Sequence, residues 1–414
     1  MLQGIARDRD FLKLWFGETI SDFGDQITLL AIPLTAVIVL KASAFEMGVL
    51  AAVATLPTAL FSLVVGVWVD RVPRRRVLIA ADIGRALVLA TVPIAFVLGA
   101  LSLPQLYVVA FLSGTLSVFF VVAYQAYLPA LVGREHLVDA NGKMNASASL
   151  AQLAGPSAAG VLVQLFTAPM PVVVDALSFL GSVVGLSLIR RPEPALAPRR
   201  RDMRAEIREG LAALLGHPVL RAIVISASMF VLLFSAQLAI FLLYLSRDLH
   251  LEPFAIGLLL AIGSVGALVG ALSASTITRR IGIGPTFVFG AVLASMWFLG
   301  RGLIAEPQGV AVVSVAVAQL IGLIGFSILN VSSPSLRQAL TPAHLLGRVN
   351  ASYRFLVWGT GPFGALIGGT LGELFGLRTA LLITGIASLA ILPILFASPV
   401  PRMREVPRLE PAPV

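Results

Sequence analysis

The sequence predicts an all-α integral membrane protein with twelve transmembrane helices arranged as two pseudo-symmetric six-helix bundles. Three observations predict it: a composition too apolar for water, regularly spaced charge-free stretches, and a repeat at half the chain length. Hydrophobic residues fill 58% of the 414 positions and charged residues 12%, against roughly 45–50% and about 25% in a soluble domain. Folding alone does not hide that much apolar surface, so lipid must solvate it, and lipid admits only helices or closed barrels. Twelve spans of roughly 20–25 residues use roughly 240–300 positions, leaving short loops and little room for a soluble catalytic domain.

The spans follow from the charge-free stretches. The first apolar segment, from about Phe11 to Leu40, carries three acidic residues and no small-residue cleavage site, so it reads as a span and not a cleavable leader. Met47 to Val69 is a single span. Ala86 to Gly133 is uncharged, and Ser102-Leu103-Pro104 divides it into most of a helical hairpin. Met144 to Val174 holds one span and a turn at Ala168-Pro169-Met170-Pro171. Further spans centre near residues 180, 233, 265, 294, 320, 361 and 388. The expected organisation is an N-terminal bundle over 1–190, a cytoplasmic linker over 191–216, a C-terminal bundle over 217–400 and a cytoplasmic tail over 401–414. Within the linker, RDMRAEIREGLAALL reads as an amphipathic helix lying at the membrane surface.

Charge sets the expected sidedness. With the N-terminus inside, the even-numbered connections and both tails hold 24 of the 30 Lys and Arg residues; Lys41, Arg247, Arg301 and Arg378 fall outside. Arg85 and Arg354 lie within spans. Cytoplasmic loops carry the excess of Lys and Arg, so the expectation is a multi-pass protein of the cytoplasmic (inner) membrane with both termini inside. The net charge of +9 is explained by that bias, and nucleic acid is not an expected partner. There is no cysteine, which excludes disulfides and thiolate metal sites. The four histidines, His136, His217, His250 and His344, fall in loops or at helix ends, and no G-x-x-x-x-G-K-[ST] phosphate loop occurs. No catalytic constellation and no metal site is visible, so neither an enzyme nor an ATP-driven pump is expected.

The halves repeat. Asn145-Ala146-Ser147 corresponds to Asn350-Ala351-Ser352, and Gly155-Pro156 to Gly361-Pro362, at offsets of 205 and 206 residues. Duplicated six-helix halves are a transporter architecture, with a solute path between them.

The connection after the second span reads GVWVDRVPRRR, from Gly66 to Arg76. It resembles the major facilitator superfamily, whose signature between helices is G-x-x-x-D-R-x-G-R-R. Gly66, Asp70, Arg71, Arg74 and Arg75 match, and Pro73 replaces the second glycine, so a fixed backbone makes the turn. A glycine on the second span lets a neighbouring helix approach closely, and arginines at a cytoplasmic helix end complement the dipole and anionic lipid. Asp70 then serves either as a latch to the other half or as ordinary topology-setting charge. A weaker copy, STITRRIGIGP, keeps Arg279 and Arg280 without the acid. The run Gly155-Pro156-Ser157-Ala158-Ala159-Gly160 resembles the G-P-x-x-G-G element of the antiporter branches, with Ala159 departing from it. Over its whole length the chain is similar to twelve-helix exporters of macrolides, other drugs and siderophores. SDFGDQITLLAIP and RVNASYRFLVWGTGPFGALIGG are further points of likeness. The resemblance implies proton-coupled efflux of small molecules, with protons and lipids as the other partners, no cofactor beyond the proton gradient, and a monomer.

Charged residues inside the spans are the candidate machinery. Glu18, Asp22 and Asp25 lie at i, i+4 and i+7, within roughly a 60° arc of one helix face. From a start near Phe11, Asp22 and Asp25 fall roughly 16–21 Å deep at about 1.5 Å per residue. Desolvation and mutual repulsion oppose ionisation of all three, and carboxylates that exchange protons inside a membrane are what coupling requires. The expectation is that Asp22 and Asp25 carry the coupling proton, with Glu18 at the cytoplasmic end of the path. Asp82 and Arg85, at i and i+3, either pair with each other or leave Arg85 to serve the first helix. Arg354 is either a latch partner or snorkels to the surface. Asp175 reads as the outer N-terminal charge of the sixth span. Gln237 and Gln319 are candidates to line a cavity, and Tyr124, Phe234 and Trp358 to contact an aromatic ligand, alongside Tyr127 and Phe230. A lipid, lysophospholipid or small-nutrient carrier of the same fold is the alternative reading.

Overall fold

Apolar runs punctuated by Pro, Gly and charged clusters become helices, and no strand occurs among the described residues. The computed structural model describes all residues except 1–4, 70, 134, 194–202, 304–307, 343 and 406–414. In chain order the helices are α1 (Arg9–Leu34), α2 (Ala44–Val69), α3 (Arg74–Val97), α4 (Leu103–Val132), α5 (Leu137–Phe166), α6 (Val172–Ser187) and α7 (Met203–Gly216). They continue with α8 (Pro218–Arg247), α9 (Pro253–Ile281), α10 (Ile283–Leu303) and α11 (Gln308–Leu340). The last four are α12 (Leu346–Trp358), α13 (Gly361–Phe375), α14 (Leu377–Ser388) and α15 (Ile391–Phe396).

Local chemistry sets the ends. The Asp8 carboxylate accepts from the N–H groups of Asp10 and Phe11 at 2.9 and 3.2 Å and so caps α1. Ser43 and Glu46 form a reciprocal capping box at α2, with Ser43 N–H donating to Glu46 at 2.7 Å and Glu46 N–H to Ser43 Oγ at 3.3 Å. Gly133 ends α4 with φ of 77°, a conformation that favours glycine.

Among the described residues, ten helical segments are long and apolar enough to cross a membrane, and α6 is a shorter apolar helix. Their outer faces carry side chains such as Leu87, Val97, Leu165 and Leu272, all well exposed; lipid is the solvent that makes such a surface stable. The eleventh predicted span is not one helix. It breaks at Gly359-Thr360 into α12 and α13, because Pro362 has no N–H and fits the first turn of a new helix.

The chain divides into two units: Met1–Arg199 with His250–Ala261, and Arg200–Leu249 with Ile262–Val414. In the first, α1 packs on α5 and α6, α3 on α4 and α6, and α2 on α4. Its core includes Phe11, Leu14, Leu78, Tyr127, Leu131 and Leu186. In the second, α10 packs on α11 and α14, α8 on α13 and α14, and α7 on α12, around Ile223, Phe230, Trp297, Phe298 and Leu336.

One local expectation needs correction, and the linker helix gains a packing partner. No described atom lies within 4 Å of a Cβ built on Gly66, so this glycine does not bring a neighbour close. The close contacts on glycine fall elsewhere, as at Gly364 and Gly368 against the α8 backbone at Leu232 and Ala236. The amphipathic linker helix is also not free. Its Gly210 abuts the carbonyl of Arg348 on α12, and Glu209 pairs with the Arg348 side chain, so the described part of α7 is docked.

Candidate functional site

The first unit holds a polar centre where α1, α3 and α6 meet. Small residues allow it. Along the α1–α6 contact, Gly185 faces Lys13, Gly17 faces Ser182, and Gly24 faces Ser178 and Asp175. Without Cβ atoms the backbones close up, and the polar side chains between them are shut in. Glu18 is buried and accepts from Ser182 Oγ at 3.5 Å. Asp22 is half-buried and Asp25 is exposed, so the predicted stripe runs from a packed end to an open one.

Asp82 and Arg85 are both buried and form an ion pair. Arg85 pairs directly with Asp82, and its charge also acts on Glu18 and Asp25 of α1. Its guanidinium also lies 4.4 Å from the Phe120 ring centre and 4.0 Å from that of Phe179, and two aromatic faces stabilise a cation held out of water. Tyr124, half-buried, stacks on Phe120 at 6.2 Å between ring centres and so borders the same centre.

Asp175 corrects its sequence reading. It does lie in the first turn of α6, but it is fully buried, with Oδ1 accepting from Ser178 Oγ at 3.1 Å. The helix has only 16 residues, about 24 Å, so its first turn starts inside the unit and not at the outer surface.

The arginines of the loop after α2 are engaged within their own unit. Glu193 accepts from the backbone N–H of Arg74 at 2.9 Å and of Arg75 at 3.4 Å, and from Arg74 Nη1 at 3.5 Å. Arg75 donates to the carbonyls of Leu186 and Ser187 at 2.7 and 2.6 Å. Arg71 is exposed, and Asp70 lies outside the described residues. Arg74 and Arg75 thus fasten the start of α3 to the segment leaving α6.

The Gly-Pro element of α5 sits at two crossings. A Cβ on Gly155 would overlap Gln26 on α1, while Gly160 meets Pro253 and Phe254, and Gly257 meets the Pro156 carbonyl, where α9 begins. The helix runs unbroken through Pro156. Its counterparts Gly361 and Pro362 are buried at the start of α13.

The second unit holds a different polar centre, which the sequence did not reveal. Arg301, expected in an outer loop, is buried in α10. Its Nη1 donates to Gln237 Oε1 at 3.2 Å, and its Nη2 and Nε donate to Gln319 Oε1 at 2.7 and 3.3 Å. The Trp297 indole N–H also donates to Gln319. Gln237 in turn donates to Phe298 O at 2.9 Å, and to Leu381 O and Thr384 Oγ1, each at 3.1 Å. The guanidinium lies 4.0 Å from the Phe241 ring centre and 4.3 Å from that of Trp297, and no carboxylate pairs with it among the described residues. Gln237 and Gln319 are therefore buried partners of a cation and do not line open space. The signal was a Gln inside each of two apolar helices, since a buried amide must find hydrogen-bond partners.

Phe234 is half-buried among Phe230, Trp297 and Phe326, with ring centres 5.5–6.4 Å away. Trp358 and Arg354 are exposed on α12. The structure thus gathers Glu18, Asp82, Arg85 and Tyr124 in one unit and Gln237, Gln319 and Phe234 in the other.

The sequence profile of the Major Facilitator Superfamily matches residues 14–363. The chain is a major facilitator superfamily protein. As a member of that superfamily it is a multi-pass membrane transporter and not an enzyme. It is 27% identical over 405 residues to the multidrug efflux pump Tap of Mycolicibacterium fortuitum, covering 95% of this chain and 96% of that protein. It is 23% identical to macrolide efflux protein A of Streptococcus pyogenes over 264 residues, 63% of this chain and 65% of the relative. The crystal structure of a variant of the nucleoside transporter NupG superposes with a TM-score of 0.76 at 14% identity, over 94% of this chain and 99% of that one. That likeness concerns the fold of this superfamily member alone.

Proposed function

We propose that the protein exports amphipathic, drug-like or siderophore-like compounds across the cytoplasmic membrane by alternating access, in exchange for protons. The observation that carries this reading is the acidic centre of the first unit, where among the described residues Arg85 is the spanning-region cation set against Glu18, Asp25, Asp82 and Asp175, with Asp22 a fifth carboxylate beside Asp25. One guanidinium cannot balance five carboxylates, so protons must neutralise some of them, and protons that come and go there couple a gradient to transport. The efflux pumps among its relatives support outward direction. The Lys and Arg bias supports both termini on the cytoplasmic side.

The test uses everted vesicles with an acid-inside pH gradient and a panel of lipophilic cations and neutral macrolide-like compounds. Substrate-dependent proton release is expected in wild type and lost in the Asp22→Asn/Asp25→Asn double variant. Release that persists in the double variant would refute the assignment to α1. A second reading, a lysophospholipid carrier, draws on an apolar groove of about 530 Å³ between α3 and α6, bordered by Ala86, Leu87, Pro93, Val173 and Leu177. Lysophospholipid movement without proton release, and no response to the drug panel, would favour it.

A further inference from the structure

Asp175 is placed unlike a structural charge. The α1–α6 contact is a ladder of close approaches, from Lys13 with Gly185, through Gly17 with Ser182, to Gly24 with Ser178 and Asp175. A methyl group on Gly24 would overlap Oδ1 of Asp175, so this carboxylate lies on the α1 backbone one residue from Asp25. Counting from the level of Lys13 and Gly185, Asp25 stands roughly 18 Å and Asp175 roughly 15 Å along their helices at 1.5 Å per residue. Both therefore sit near the middle of a roughly 30 Å hydrocarbon layer. Asp175 is fully buried, and its Oδ2 has no hydrogen-bond partner among the described residues.

The charges around it leave it without a cation of its own. From α1 it faces Asp25 and the Thr28 hydroxyl, while Glu18 and Asp22 stand against Asp25 and each other on the same helix. From α3 comes Arg85, which it shares with Asp82, Glu18 and Asp25, and which holds its ion pair with Asp82. From α4, Tyr124 stands against Glu18 and Asp22, and α5 carries no charged residue between Met144 and Phe166. A buried carboxylate with a bare oxygen and a second carboxylate as its main electrostatic partner is stable when the two hold one proton between them.

We propose that Asp175 is a second proton-carrying carboxylate, sharing one proton with Asp25 across the α1–α6 contact at Gly24. In the exchange, the carboxylic O–H of one residue breaks as an O–H forms on the carboxylate of the other, and the pair keeps a single negative charge. Exposed Asp25 meets the proton and buried Asp175 stores it. The role in transport rests on the proton-coupled reading above; the shared proton does not.

Infrared difference spectroscopy of the purified protein across a pH step tests the pair directly. The expected result is a protonated-carboxyl carbonyl band that is absent in Asp175→Asn and shifted in Asp25→Asn, where Asp175 itself is intact. A spectrum unchanged by Asp175→Asn, or an Asp175 band indifferent to Asp25→Asn, overturns the proposal. In the everted vesicles, Asp175→Asn should lose substrate-driven proton release, and Asp175→Glu, which keeps the carboxyl, should restore it; wild-type release from Asp175→Asn overturns the transport role. If wild type releases no protons yet shows the band and its shift, the proton-coupled reading fails and the shared proton stands.

Discussion

Replacing Gly368 by alanine tests the packing of the second unit at the close crossing of α13 on α8. A Cβ built on Gly368 would overlap the carbonyl oxygen of Ala236, and one on Gly364, a turn earlier, that of Leu232, both far inside the 3.4 Å at which ordinary contact begins. In Gly368→Ala, α13 must withdraw from α8 by roughly 1.5 Å to relieve the contact with the Ala236 carbonyl, and a gap beyond about 1 Å forfeits about half or more of each ~0.1–0.2 kcal/mol atom-pair attraction. Over about 40 pairs, the number one buried leucine makes, the loss is about 2 kcal/mol or more, against the roughly 1–3 kcal/mol typical of overpacking. Gly66→Ala is the control, since its Cβ meets open space and alanine is favoured over glycine in a helix by about 0.8–1 kcal/mol. Thermal unfolding of the purified protein in detergent reads both. For a bundle near 200 residues the Gly368→Ala midpoint should fall by about 4–8 °C or more, while Gly66→Ala holds or rises. A Gly368→Ala midpoint at or above wild type would refute the reasoning.

Two further perturbations address the charged contacts. Arg301→Met leaves Gln319 its indole donor but strips Gln237 Oε1 of the guanidinium, a loss of about 1–3 kcal/mol for the orphaned acceptor. Adding Gln237→Leu should recover about 1–2 kcal/mol relative to the sum of the single changes; strictly additive unfolding midpoints would show that the two do not interact. Glu193→Gln removes the carboxylate that receives the N–H groups of Arg74 and Arg75, weakening the first turn of α3 by about 1 kcal/mol. Trypsin should then cut the purified protein at Arg74–Arg76 about fivefold faster, and unchanged cutting would place the restraint elsewhere.

What was legible in the sequence was whatever depends on spacing along one helix. Asp82 and Arg85 at i and i+3 can meet without any tertiary information, and they do. The charge-free stretches and the turns at Ser102-Leu103-Pro104 and Ala168–Pro171 mark helix ends that the structure places within a few residues. Asp175 was not legible, because a carboxylate in a first helical turn reads the same whether that turn lies at the surface or inside. The shortness of α6 decides it, and the sequence does not mark where that helix begins. Arg301 was hidden for a related reason: flanked by Gly300 and Gly302 beside a charged, Pro-containing stretch, it looks like a loop residue. The spacing of Gly364 and Gly368 is a recognisable helix-contact pattern, yet which of the many glycines meets a backbone depends on the partner helix.

The two units differ in the kind of charge they bury, and this limits where proton chemistry can occur. From Pro253 to Gly372 the chain has a single acidic residue, Glu306, and α8 has none. The buried ions of the second unit are Arg301 and Arg337, each set against aromatic rings. A guanidinium holds its proton throughout the physiological range and cannot pass it on, so these are fixed charges whose partners are neutral amides, hydroxyls and ring faces. The first unit buries carboxylates, which can gain and lose protons, around an arginine that cannot. If transport is coupled to protons, the exchanging groups must therefore belong to the first unit. Substitutions in the Arg301 centre should then alter stability or the transport rate while leaving its pH dependence in place, whereas changes at Asp22, Asp25 or Asp175 should move the pH dependence itself.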